Sequence, residues 1–215
     1  MQNEIIKFMS FGALFIFVLG LAQAIHKAGI SGTKSRKLSH MLGAIVAAFL
    51  PYFLKLDSII VLGLLFFALL LFSSKRRLLG GIHNVKRNTI GAFLFPVGII
   101  LSALLFKNQE NSIYAMSILI MGLSDGIAGI VGETYGKHKY NFTSEKTIEG
   151  STSFFVVTTI IILVGTILNS SVHYLQLPLT LMIAVIITII EGISGKGWDN
   201  LTVPIISGLL LQTLL

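Results

Sequence analysis

The residues best equipped for chemistry lie between Met121 and Ser151. An apolar segment there leaves the apolar phase at Asp125 and runs through glycines at 122, 126, 129, 132 and 136. A polar connection follows with Lys137, His138, Lys139, Lys146 and Glu149, and closes on Gly150-Ser151 as the next apolar run begins. Asp125, Ala128, Gly129, Gly132 and Gly136 are spaced by three and four, so they share one helical face that admits a close neighbour or a ligand. An ionised carboxylate at mid-bilayer costs about 2.5–3.5 kcal/mol on insertion scales, so an acid inside an apolar helix points to function. Carboxylates among lysines suit a magnesium–phosphate complex. The bland alternative is an Asp125–lysine ion pair that fixes helix packing. Gly150-Ser151-Thr152 at a helix start offers free N–H groups to an anion, or a simple serine or threonine cap. No Walker-type loop is present: Gly132 and Gly136-Lys137 have the wrong spacing, and His138 stands where a hydroxyl is needed.

The elements that must hold these groups are membrane helices. The 215 residues are 54% hydrophobic and 12% charged, about half the charge of a soluble domain. Mean hydropathy is +0.87. Eight apolar segments are expected, at about 8–25, 38–56, 58–73, 90–106, 113–132, 152–170, 177–194 and 200–214. The chain therefore reads as all-α, a polytopic bundle of about seven or eight transmembrane helices, with residues 1–215 forming one integral membrane domain and no separate soluble domain. The third and last segments are short, which allows tilt or re-entry. Ala22-Gln23-Ala24 resembles a signal cleavage site, but basic residues follow the first apolar run rather than precede it, so that segment is read as a retained helix. The absence of cysteine excludes disulfides and thiolate metal sites.

Every second connection is basic. The first holds Lys27, Lys34, Arg36 and Lys37; the third Lys75, Arg76, Arg77, Lys86 and Arg87; the fifth Lys137, Lys139 and Lys146; the seventh Lys196. The positive-inside rule then puts these four on the cytoplasmic face of the cell membrane and both termini outside. The net charge of +7 describes one membrane face, and no nucleic-acid partner is needed to explain it. Lys75, Arg76 and Arg77 read best as topology signals that touch anionic lipid. Asp125, Glu133, Glu145, Glu149, Glu191 and Asp199 fall in or beside the fifth and seventh connections, while Glu4, Asp57 and Glu110 lie on the opposite side.

Four motifs in register carry a resemblance. Asp125-x-x-Ala128-x-x-x-Gly132-x-x-x-Gly136-Lys137 and Lys146-Thr147-x-Glu149-Gly150-Ser151 resemble the signature of the dolichol kinase and phytol kinase family, which is related to the phosphatidate cytidylyltransferases. Arg36-Lys37-Leu38-Ser39-His40 is similar to its RKxxH element, and Asp199-Asn200-Leu201-Thr202-Val203-Pro204 to its C-terminal element. The resemblance covers the chain from about residue 34 to the end. It implies transfer of a phosphoryl group from a nucleoside triphosphate, typically CTP, to an isoprenoid alcohol (phytol, polyprenol or dolichol type) or diacylglycerol, with Mg2+ as cofactor. On that reading Asp125 is a magnesium ligand, and Glu149 and Asp199 are further ligands or bases. Lys137 and Lys146 hold phosphate oxygens together with Gly132, Gly136, Thr147, Gly150 and Ser151. Arg36 and Lys37 meet the triphosphate or the product. His40 orients a phosphate, takes the proton or caps an interface helix; Asn200 binds metal or nucleotide, or is an N-terminal cap.

Two rival functions stay open. A cytidylyltransferase would attack the α-phosphate, but the region EGISGKGWDNLTVP has only Glu191 and Asp199 as acids and lacks that branch's aspartate-rich signature. A transporter would place its acids near the midplane at a repeat interface, whereas here they gather at one face and no internal repeat is evident. His26, His83, His138 and His173 show no metal spacing, and Trp198 reads as an interfacial anchor. Pro51, Pro96, Pro178 and Pro204 are expected to kink or bound helices.

Overall fold

In the computed structural model, residues 2–76, 78–83, 89–107, 110–140, 143–169 and 176–214 are described. Arg77, Lys86, Arg87, His173 and the side chain of Glu145 lie outside the described residues.

The apolar segments become helices, with boundaries set by local chemistry. Helix α1 runs Gln2–Lys27 and α2 Gly32–Ala48; Ser31 caps α2 by accepting from the Lys34 N–H at 3.4 Å. The second segment, expected to run unbroken to residue 56, stops at Phe49, and a short α3, Leu50–Phe53, restarts around Pro51 in its first turn. Proline lacks the N–H that a continuous helix would need there. Helix α4 covers Leu56–Lys75, α5 Gly80–His83 and α6 Gly91–Phe106. Next come α7, Asn111–Leu119, a π-helical turn at Ile120–Ser124, and α8, Asp125–Tyr135. Helices α9, Ile148–Leu168, α10, Gln176–Ile193, and α11, Asp199–Leu211, complete the bundle. The last carries Pro204 inside it, as α6 carries Pro96.

By length and composition four helical rods can cross a membrane: α1, α4, the 25-residue Asn111–Tyr135 rod and α9. Helices α6, α10 and α11 are shorter and apolar. The Asn111–Tyr135 rod is central. Its apolar window is 56% buried, against 22–28% for the other three. Helix α2 crosses it closely because Gly122 and Gly126 leave room: a Cβ at these positions would stand 1.9 Å from Ala44 Cβ and 2.3 Å from Met41 Cγ. Small residues thus bring backbones together where lipid offers no hydrophobic drive.

One expectation needs correcting. The fifth connection is not all loop: β1, Lys139–Tyr140, pairs antiparallel with β2, Thr143–Thr147, opposing Lys139 to Thr147. Beyond this hairpin the described residues are helical or irregular, so the all-α class holds.

Candidate active site

A cavity of about 450 Å³ opens where one end of the bundle gathers its odd-numbered connections. Arg36, Lys37 and His40 enter from α2, Thr89 from just before α6, Lys146 from the hairpin, Lys196 from the turn before α11 and Asp199 from the first residue of α11.

Lys146 is the centre of its polar end. The β2 strand carries it inward, and Thr147 then starts α9 by accepting the Gly150 N–H at 3.1 Å. The Lys146 Nζ stands 3.1 Å from Asp199 Oδ2 and 3.6 Å from Asp125 Oδ1, and it donates a short hydrogen bond to Glu191 Oε1. Burial alone would lower the Lys146 pKa. The carboxylates of Asp125, Asp199 and Glu191 outweigh it and hold the ammonium well above the ordinary lysine range.

Asp125 begins α8 directly after the π-helical turn, a local widening that often marks functional sites. The carboxylate of Asp199 also accepts the Asn200 N–H at 3.0 Å, and Asn200 Nδ2 donates to the Gly91 carbonyl at 2.6 Å. That bond ties α11 to α6. Trp198, not Asn200, occupies the cap position of α11. Lys196 and Gly197 turn the chain with positive φ, 56° and 92°, and the Lys196 carbonyl accepts from the Ile90 N–H at 3.1 Å and the Thr89 hydroxyl at 2.9 Å. His40 lies within α2 rather than capping it, and its Nε2 is 3.2 Å from the Met121 carbonyl. A carbonyl can only accept, so Nε2 is the donor in this contact.

The small-residue face serves side chains as much as any ligand. Lys37 Nζ donates to the Gly129 carbonyl at 2.5 Å and pairs with Glu133 at 2.8 Å. Gly132 makes room for Thr147: a Cβ there would stand 2.9 Å from its Oγ1. Gly136 has left the helix and takes extended backbone, though it still lines the cavity with Gly132, Gly150 and Ser151. The Ser151 hydroxyl, at the first turn of α9, is buried and has no hydrogen-bond partner among the described residues. Glu191 Oε2 is likewise buried and without a partner among the described residues.

Two sequence candidates are not brought to this cavity. Glu149 turns to the loop, where its Oε1 is 2.8 Å from His138 Nδ1 and both carboxylate oxygens accept from the His138 N–H. Lys137 is exposed beside it. Neither lines the cavity. Glu191 takes the place expected of Glu149; its position at the end of an apolar segment was the available signal.

The expected magnesium ligands Asp125, Glu149 and Asp199 therefore do not converge. Among the described residues no three histidine, aspartate or glutamate side chains form a group that could hold a metal. Asp125, Asp199 and Glu191 do offer hard oxygen donors. Their common centre, however, is occupied by the Lys146 ammonium, so a resident magnesium does not fit these residues as arranged.

Fold and site together define a polytopic helical membrane protein with a charged chamber at one end of its bundle. Over 194 residues the chain is 25% identical to the phytol kinase of Synechocystis sp., an alignment covering 88% of this chain and 83% of that protein. Over 123 residues it is 30% identical to a probable chloroplastic phytol kinase 1 of Glycine max and 28% identical to chloroplastic phytol kinase 1 of Arabidopsis thaliana. Those two alignments cover 54% of this chain but 40% of each plant protein. These relatives support the phytol/polyprenol kinase-like family that the motifs implied. No family model and no solved structure matches.

Proposed function

We propose that the protein is a lipid-alcohol kinase, transferring the γ-phosphoryl group of a nucleoside triphosphate, CTP before others, to the hydroxyl of an isoprenoid alcohol at the cytoplasmic membrane face. The observation that carries this is one cavity with two chemically distinct ends. At one end Lys146 meets the carboxylates of Asp125, Glu191 and Asp199, with Arg36 and the Lys37–Glu133 pair beside it, and the other is lined by apolar side chains of α1 and α4. Names of the relatives add the alcohol-kinase class.

In this reading Lys146 and Arg36 neutralise phosphate oxygens, and the α9 N-terminus with the unpartnered Ser151 hydroxyl receives another. The alcohol oxygen bonds to the γ phosphorus while the bond to the bridging oxygen breaks, and the nucleoside diphosphate leaves with that electron pair. The hydroxyl proton passes to a carboxylate; Asp199 and Glu191 are the acids of the cavity best suited to receive it, with His40 as the imidazole alternative. Positioning and charge neutralisation supply most of the rate in such chemistry. We propose further that magnesium arrives with the triphosphate rather than as a resident ion.

The test is transfer from CTP labelled at either the α or the γ phosphate, with purified protein in lipid, magnesium and phytol. Label should pass from the γ position, and Asp125→Asn, which removes one of the carboxylates that position the Lys146 ammonium, should lower the rate by about 100-fold, the size of a misplaced catalytic group. Label from the α position with pyrophosphate release would make the protein a cytidylyltransferase. ATP outperforming CTP would correct the nucleotide alone.

A further inference from the structure

One cation of the chamber stands apart from the rest. Lys146 is held by three carboxylates, and Lys37 by Glu133 and the Gly129 carbonyl. Lys196 lines the same cavity and is exposed, and its ammonium has no carboxylate or hydrogen-bond partner among the described residues. Lys139, on the hairpin, shares that lack but has no unusual backbone. Lys196 has: its φ is 56°, in the left-handed region that disfavours any residue with a Cβ.

The chain has glycine on both sides, at 195 and 197, yet not at 196. Gly197 uses its freedom with a φ of 92°, whereas Gly195 takes no positive φ. A glycine thus stands where none is required, and a lysine where a glycine would relieve strain. The neighbours hold that strain in place. The Lys196 carbonyl accepts from the Thr89 hydroxyl at 2.9 Å and the Ile90 N–H at 3.1 Å, and Thr89 Oγ1 accepts from the Gly91 N–H at 3.1 Å. A Cβ at Gly197 would stand 2.3 Å from the Gly91 nitrogen, so the turn lies directly on the start of α6. Residues held in strained backbone by their surroundings gather at ligand clamps.

Charge says what the lysine could clamp. Around Lys146 the acids outnumber the cation, so that cluster alone does not draw in a polyanion. The attraction has to come from cations that no acid already matches. Lys196 and Asp199 are three residues apart, at most about 11 Å along the chain, and Asp199 touches Lys146 at 3.1 Å. The chamber therefore offers a paired inner cation and an unpaired outer one. A nucleoside triphosphate enters from water phosphates first, which brings its γ-phosphoryl group to the inner cation and leaves its other phosphates beside the outer one. We propose that Lys196 is the outer phosphate clamp, its ammonium holding the phosphates that stay on the leaving nucleoside diphosphate. The proposal rests on the kinase reading and adds to its donor site a residue that none of the four motifs contains.

The experiment measures equilibrium binding of CTP, CDP, ATP and ADP, each with magnesium, to the full chain in lipid nanodiscs, beside γ-phosphoryl transfer to phytol. Lys196→Gly and Lys196→Asn remove the cation and tolerate a positive φ, while Lys196→Arg keeps the charge. The two neutral variants should weaken a triphosphate and its diphosphate by the same factor, about tenfold, the size of one charge-assisted contact. Lys196→Arg should stay within about threefold of the unaltered chain. The unfolding temperature without nucleotide should stay level or rise in Lys196→Gly, because its strain is relieved. A change below about threefold in both neutral variants overturns the proposal and leaves Lys196 a topology signal that touches lipid. Weakening of triphosphate without diphosphate also overturns it, by moving the contact to the γ-phosphate. So does weakening that Lys196→Arg shares, or that comes with a lower unfolding temperature in Lys196→Gly, since either marks a structural role. Binding that follows the expected pattern without any transfer by the unaltered chain keeps the clamp and removes the kinase reading. Binding of none of the four nucleotides by the unaltered chain overturns both.

Discussion

At the residue scale the site is a cation held among acids. Lys146 has 17% of its side chain exposed and Glu191 2%, so their pairing is largely shielded from solvent. Removing one partner of a buried pair leaves an uncompensated charge, at about 3–5 kcal/mol. Lys146→Met should destabilise by that order, because three carboxylates lose their common counter-ion. The double variant Lys146→Met/Glu191→Gln should recover part of the loss, so the two single effects will not add. Additive losses, measured by thermal unfolding in lipid, would show that the pair carries no coupling. Burial would lower the Lys146 pKa, yet the three acids hold it above its ordinary value of 10.5, so its stabilisation is complete below that value and fades only at higher pH. Lys146→Met leaves three neighbouring carboxylates without their cation, and like charges favour protonation, so the stability deficit of this variant against the parent should widen as pH rises between about 6 and 9 and those acids ionise. The ion-pair reading of Asp125 and its functional reading are thus compatible: the structure shows the pair, and a phosphate arriving at Lys146 would compete for the same ammonium.

At the scale of elements, three short pieces aim these residues, and they differ in how far the chain announced them. The apolar runs were legible because membrane helices need long stretches of one kind of residue, and each expected segment has a helix at its place. The break at Phe49 was readable from Pro51. The hairpin that delivers Lys146 was not: β1 is two residues long, and β2, TSEKT, has no apolar alternation. Nor was the π-helical turn before Asp125, since IMGLS reads like any stretch of apolar helix. Glu149 misled for a related reason. Sequence puts it beside Lys146, but at a helix start neighbouring side chains diverge, and it turns to His138. The third piece, the turn at Lys196-Gly197, makes a prediction. Gly197 has φ of 92°, and a Cβ would stand 2.3 Å from the Gly91 nitrogen, so Gly197→Ala adds both backbone strain and a clash. A loss of about 1–3 kcal/mol is expected. Because the turn sets Asp199 and Asn200, kcat should fall further than that of a control alanine at Gly195, whose Cβ would meet nothing within 4 Å. Equal effects at the two positions would show that the turn does not align the site.

At the scale of the whole molecule, charge alternation and cavity position agree. The connections after the first, third, fifth and seventh apolar segments are the basic ones, and each supplies lining residues: Arg36 from the first, Thr89 from the third, Lys146 from the fifth, Lys196 from the seventh. None of Asp57, Glu110 or Lys55, from the connections between them, lines it. The bundle thus has a chemical end and a plain end, and in the proposed reading the positive-inside rule turns the chemical end toward the cytoplasm, where nucleoside triphosphates are supplied. The absence of cysteine makes a direct check simple, since one introduced thiol is the sole target. Lys137 and Asp57 are exposed and stand in connections of opposite kind. In intact cells a membrane-impermeant maleimide should label Asp57→Cys at once, and Lys137→Cys only after permeabilisation. The reverse pattern would turn the bundle over and leave the chamber facing away from the cytoplasmic nucleotide pool. The two-ended cavity would then need a phosphate donor supplied from outside the membrane.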